Sequence, residues 1–209
     1  MKPCEKIKYS NISSDDSARD LKSNLELLFM AQVATPVYHT QCSGIPLEST
    51  RSDKVFKPIV LDLGLMNYIQ KTSWSSIKNM NEENLLTDGK IAEQFIGQHL
   101  LSIQPIYMMP SLNYWLREGK SANAEVDYIL ERSPYLISIE VKAGAAGKIR
   151  SMHQWVQEAP HKKKKCIRFN LSKGCEEIVT YQYINKTLSY PLMTLPLYLV
   201  ERLDDFIKS

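Results

Sequence analysis

Glu140 and Lys142 stand two residues apart in Ile137-Ser138-Ile139-Glu140-Val141-Lys142, a stretch in which polar and apolar residues alternate strictly. A period of two puts Ser138, Glu140 and Lys142 on one face of a strand, and Ile137, Ile139 and Val141 on the other. Upstream, in Ala124-Glu125-Val126-Asp127-Tyr128-Ile129, Glu125 and Asp127 share a face. Paired as a hairpin, the two strands make Asp127 and Glu140 cross-strand neighbours, with side chains roughly 5 Å apart. Carboxylates that close repel each other unless a cation sits between them. Mg²⁺ answers that need, because it takes oxygen ligands, keeps several waters and also binds phosphate. Lys142, on the face of Glu140, is then placed to hold a metal-polarised water or to stabilise charge on a phosphate. The same residues also describe the solvent face of an amphipathic strand, and spacing alone leaves both readings open.

The elements around these strands follow from hydrophobic periodicity and turn signals. Polar residues 10–17 lead into a helix over 18–31, with Leu21, Leu25 and Leu28 on its apolar stripe and Arg19 and Lys22 outside it. Strands are expected at Val33–Thr40 and Val55–Asp62, separated by a polar loop over 41–54; Pro58 argues for an edge position in the second. A helix followed by a hairpin suits the end of a winged-helix module. After a connector over 73–84, Thr87 or Asp88 caps a helix that runs to Ile103. Strands are then expected at 112–116, 124–130 and 135–141, a helix at 148–158, an extended piece at 166–171, strand-like residues at 178–183 and a last helix near 195–206. Helix, three strands, helix and strand make a mixed α/β layer architecture.

Composition narrows the function classes. The chain has 209 residues, 44% hydrophobic and 23% charged, which suits a globular protein with a real core. Its 26 basic and 23 acidic residues leave a net charge of +3, too mild to mark a nucleic-acid binder, so any anion-binding surface must be local. The longest apolar stretch, Pro191 to Val200, falls well short of the roughly 20 residues a membrane span needs. No membrane contact is expected. The N-terminus lacks the apolar region of a secretory signal. Cys4, Cys42, Cys166 and Cys175 show no metal-binding spacing, so reduced thiols and a cytoplasmic location are expected.

Other residues invite functional readings. His161-Lys162-Lys163-Lys164-Lys165 is the densest basic run; Lys162, Lys163, Lys164 and Lys165 are candidates for neutralising backbone phosphates, against the alternative of a solvated turn. Gln154, on the helix after Glu140 and Lys142, is a candidate for substrate contact, whereas its neighbour Trp155 reads as core. His153 suits a general base, yet neither it nor His99 has a partner pattern.

The string Glu125 to Ile129, followed by Glu140-Val141-Lys142, resembles the core of the PD-(D/E)XK nuclease superfamily, the restriction-endonuclease-like fold. In that pattern an Asp on one strand precedes an Asp/Glu-x-Lys on the next, and a carboxylate from the preceding helix joins them. Glu93, in Ala92-Glu93-Gln94-Phe95-Ile96, occupies the position of that helical carboxylate. More closely, the chain resembles the domain of unknown function that follows the P-loop module of predicted AAA-type ATPases. Leu61-Asp62-Leu63-Gly64-Leu65, the Glu93 motif, Asn113-Tyr114-Trp115, Glu125 to Ile129 and Ile139 to Gly144 match it in order. Residues 6–50 resemble the winged-helix end that precedes this domain.

The resemblance implies a winged-helix-like segment and connector over 1–72 and a nuclease-like domain over 73–209. It implies Mg²⁺ held by Asp127, Glu140 and Glu93, with Lys142 completing the catalytic set. The chain contains no G-x-x-x-x-G-K-[ST], so no ATP site is expected and the ATPase belongs to another chain or to a longer parent. The expected function is Mg²⁺-dependent phosphodiester hydrolysis, with DNA as partner. The alternative is a non-catalytic module that binds DNA or a protein such as the ATPase.

Overall fold

The computed structural model describes residues 3–8, 18–72, 89–117, 123–144, 149–183 and 186–207. The expected connector over 73–84, the caps at Thr87 and Asp88, the polar segment 10–17 and the centre of the turn after Arg117 lie outside them. Contacts divide the chain into two compact units. One comprises Met1–His39 with Ser52–Leu112, and the other comprises Thr40–Arg51 with Asn113–Ser209.

The first unit contains β1 (Ile7–Lys8), α1 (Ala18–Met30), β2 (Ala34–Thr40), β3 (Arg51–Val60), α2 (Leu63–Ile69) and α3 (Gly89–Ser102). Its strands lie in the order β1-β3-β2. β3 is therefore not an edge strand as Pro58 suggested. β1 is only two residues long and pairs with Val55 and Phe56 alone, so Pro58 stands beyond that ladder and its missing N–H costs no bond there. The Pro58 carbonyl accepts from the Cys4 N–H at 3.0 Å. On α1 only Leu25 of the expected stripe is buried, and Leu28 is exposed.

The motif Leu61 to Leu65 has a local structural explanation. Asp62 is the N-cap of α2, its Oδ1 accepting from the Leu65 N–H at 2.8 Å, which satisfies a donor the helix leaves open. A Cβ on Gly64 would stand 2.9 Å from that same Oδ1, so a side chain there must push the capping carboxylate aside. Gln94 of α3 is wholly buried and pairs with the end of β3. Its Nε2 donates to the Val60 carbonyl at 2.7 Å, and its Oε1 accepts from the Val60 N–H at 3.3 Å. A buried amide of this kind must be paired to be tolerated.

The second unit contains β4 (Leu112–Arg117), β5 (Ala124–Arg132), β6 (Tyr135–Val141), α4 (Arg150–Glu158), β7 (Lys164–Asn170), β8 (Cys175–Tyr183), β9 (Lys186–Pro196) and α5 (Leu203–Ile207). Its strand order is β4-β5-β6-β7-β9-β8. β4, β5 and β6 run antiparallel, β6–β7 and β7–β9 are parallel, and β8–β9 is an antiparallel hairpin. α4 supplies the β6–β7 crossover that parallel pairing demands. It buries Met152, Trp155 and the preceding Ile149 against Ile129, Leu136, Cys166 and Leu192. The protein is thus mixed α/β, a mixed sheet with helices packed on it.

Two features depart from the sequence expectation. β9 is a long strand rather than a lead-in to a helix, because Leu195 and Pro196 are held in the ladder opposite Phe169 and Asn170. The expected last helix therefore starts late, as a 3-10 turn over Leu197–Arg202 followed by α5. The second departure is a β-bulge. Asn113 pairs with Ile129 but Trp115 pairs with Val126, so two steps on β4 face three on β5. The extra residue falls at Asp127–Tyr128, and Val126 and Ile129 consequently both reach the core beneath α4.

Candidate carboxylate site

Glu125 and Asp127 lie on β5, Glu125 paired in register with Leu116 and Asp127 in the bulge, alternating with Ala124 and Val126, which are packed in the α4 core. The two carboxylates present oxygens within 4.8 Å of each other. Asp127 is fixed by the neighbouring strand, its Oδ2 accepting from the Val141 N–H at 2.7 Å.

Glu140 and Lys142 end β6. The register that pairs Tyr128 with Ile139 brings Asp127 level with Glu140 at its next step. The carboxylate grouped with Asp127 in this unit is Glu125, and among the described residues no set of three mutually close ligand groups includes Glu140. Glu140 shares the strand face of Leu136, toward α4, and is buried at 4% exposure. Its Oε1 is held by the Lys142 ammonium, which is itself partly exposed. The Asp127 carboxylate thus meets that strand at the Val141 backbone, one residue beyond Glu140. The strict period fails at the bulge.

Arg168 is the ladder partner of Glu140 on β7. Its guanidinium donates to Thr194 Oγ1 through Nε at 3.2 Å and Nη2 at 2.8 Å, and Nη2 also reaches Glu177 at 3.1 Å. Sequence pattern passed over Arg168, which carries no motif and becomes relevant only through parallel pairing. His153 acquires the partners its sequence context lacked. Its ring stacks on Tyr181 at 4.2 Å between centroids, and Nδ1 lies 3.0 Å from the Tyr190 hydroxyl. Desolvation holds its pKa below the ordinary 6.5, so the imidazole stays neutral around Tyr190. Burial pushes the Tyr190 phenol up, with the negative charges of the Cys166 thiolate, the Tyr181 phenolate and Glu140 adding to the effect.

The basic run divides. Lys164 donates to the Val156 and Ala159 carbonyls at 2.7 and 2.6 Å and lies over the Trp155 ring, so it caps the C-terminus of α4. Lys165 donates to the Ile207 carbonyl at 2.5 Å and lies over Tyr135. Lys162 and Lys163 are exposed. Gln154 is on α4, and its buried Oε1 accepts no hydrogen bond from a described residue. Trp155 is core, its Nε1 directed at Cys42 Sγ.

Glu93 lies on α3 of the first unit, 2.7 Å from the ammonium of Lys57, a residue the strand pattern of β3 did not single out. No disulfide links the four cysteines.

Fold and site together define an α/β protein whose mixed sheet carries an acidic pair on one hairpin strand and a Glu–Lys ion pair at the end of the other. Residues 88–192, just over half of the chain, match a family described as Domain of unknown function (DUF4143), and the protein belongs to that family. The match runs from the residue before α3 into β9. A comparison with curated proteins finds no match. No helix among the described residues is long and apolar enough to cross a membrane.

Proposed function

We propose that this chain is a nuclease-like domain of the PD-(D/E)XK, restriction-endonuclease-like kind, associated with an AAA-type ATPase, and that it hydrolyses phosphodiesters of DNA with Mg²⁺. The observation that carries the reading is the close Glu125–Asp127 pair, with Asp127 bonded to the strand that ends in Glu140 and Lys142. The donor set fits Mg²⁺, since every candidate ligand is a carboxylate oxygen. Asp127, Glu125 and Glu140 are the residues that would hold the ion. Glu93, assigned the same task by resemblance, is tested by the same titration. Bound there, Mg²⁺ supplies charge neutralisation and an acidified water. The Val141 N–H fixes the direction of the Asp127 carboxylate. Lys142 stabilises negative charge building on the phosphate, and Glu140 holds that ammonium in place until substrate arrives. The ATPase connection and the winged-helix reading of residues 6–50 rest on motif order and resemblance.

A second reading, a non-catalytic module that binds DNA or a protein, is favoured by the engagement of Lys142 with Glu140 and of Lys164 and Lys165 with backbone carbonyls. One experiment separates the two. Calorimetric titration with Mn²⁺ should show binding that weakens at least tenfold in Asp127→Asn and in Glu140→Gln, together with Mn²⁺-dependent cleavage of DNA by the unmodified chain. Absence of both binding and cleavage leaves the module reading.

A further inference from the structure

We infer that a cleft between the β5–β6 turn and the loop from α4 to β7 holds a backbone phosphate of a nucleic-acid strand, remote from the carboxylates; the inference rests on the phosphodiester reading above. The cleft is shallow and open to solvent, measures about 480 Å³ and is lined by Ser43, Ser133, Pro134, His161, Lys162 and Lys163 among others. Its cations are the two lysines of the basic run that α4 and α5 do not consume. Its walls are pinned. The His161 N–H donates to the Cys42 carbonyl at 3.2 Å, His161 Nε2 lies 3.0 Å from the Pro134 carbonyl, and the Leu136 N–H donates to the Lys163 carbonyl at 3.0 Å. Loops held on both sides lose little entropy when a ligand binds.

Local charge favours an anion. Two acids of the flanking elements are engaged: Glu131 accepts from the Leu47 N–H at 2.9 Å, and Glu158 pairs with Arg117 at 3.0 Å. Hydroxyls from Ser43 and Ser133 add donors beside the ammonium groups. The parallel ladder gives the separation. Lys164 is level with Leu136 and Arg168 with Glu140, four residues along the strand, or roughly 13 Å. About four stacked nucleotides at ~3.4 Å each cover that length, so a short single strand can touch both ends.

The test is fluorescence anisotropy of labelled single-stranded DNA in EDTA, with probes of about 3 and about 12 nucleotides chosen from that rise. The longer probe should bind more tightly. In the Lys162→Ala/Lys163→Ala double variant, log K against log salt should be shallower by about 1.4, two phosphate contacts at ~0.7 each. An unaltered salt slope in the double variant overturns the cleft assignment without touching the metal reading. Pyrophosphate binding lost in the double variant, with no DNA bound by the unmodified chain, overturns the nucleic-acid source. Intact DNA binding with a flat Mn²⁺ titration overturns the hydrolytic reading and leaves the cleft standing.

Discussion

Lys57 and Glu93 form a 2.7 Å ion pair in which the cation is the deeper partner, with 1% of Lys57 exposed on β3. A lysine this buried needs its counter-charge, since an uncompensated ammonium in the interior is strongly unfavourable. Glu93→Leu alone should lower stability by about 3 kcal/mol, and Lys57→Met/Glu93→Leu should recover most of it. Urea unfolding of the two single variants and the double variant gives the coupling energy. A loss in the double variant equal to the sum of the two single losses would show that the pair does not act as a unit.

Asp62 and Gly64 make a second coupled pair. Asp62→Ala should cost about 1 kcal/mol through loss of the α2 cap. Gly64→Ala should cost at least as much while Asp62 is present, because the new methyl meets its carboxylate. In the Asp62→Ala background the same change should be neutral or stabilising, as expected for alanine in a helix. Thermal unfolding of the four proteins completes the cycle, and additive effects would refute the steric account.

Lys142→Met separates catalysis from structure. It leaves buried Glu140 without its cation, so some loss of stability is expected in any case. The hydrolytic proposal demands more: DNA cleavage should fall by about 100-fold at temperatures where the variant remains folded. Cleavage that tracks only the folded fraction would assign Lys142 a purely structural role.

Stability should be highest between about pH 6.5 and 9. Burial raises the Cys42 thiol from 9.0 to about 11 and the Cys166 thiol to about 12, and Tyr190 is raised in the same sense. These groups hold their protons longer when folded, so stability is full below pH 9 and falls as pH climbs through 11 to 12. His153 has the opposite sign. Its lowered pKa means the unfolded chain takes up a proton first, so stability falls as pH drops below 6.5. Urea midpoints across pH measure both limbs. Cys166→Ala should flatten the alkaline one, and His153→Gln the acidic one. In the native protein at pH 8, exposed Cys175 should react with a thiol reagent well before Cys42 and Cys166.

Much of the architecture was legible along the chain. α1, α3, β4, β5 and β6 depend on periodicities of two or about four residues, and those are written in neighbouring positions. The same local reading singled out Asp127, Glu140 and Lys142 as candidates, and put Glu125 on the face of Asp127. It failed at Leu195 and Pro196, where an apolar run looked helical until the ladder with β7 claimed it. It also failed at Lys164, whose role as a cap depends on where the end of α4 comes to rest.

The amino-acid sequence by itself determined the α/β class, the order of the central helices and strands, and the residue types able to hold a hard cation. Tertiary structure alone decided how those residues combine. The β5 bulge brings both Val126 and Ile129 to the core beneath α4, the Val141 N–H fixes Asp127, β6–β7 pairing sets Arg168 beside Glu140, and packing divides four consecutive lysines into two that bind carbonyls and two that face a cleft. The reason is distance along the chain. Alternation and capping act between residues two to four apart, whereas a bulge, a parallel register and an ion pair join residues whose separation no local pattern records.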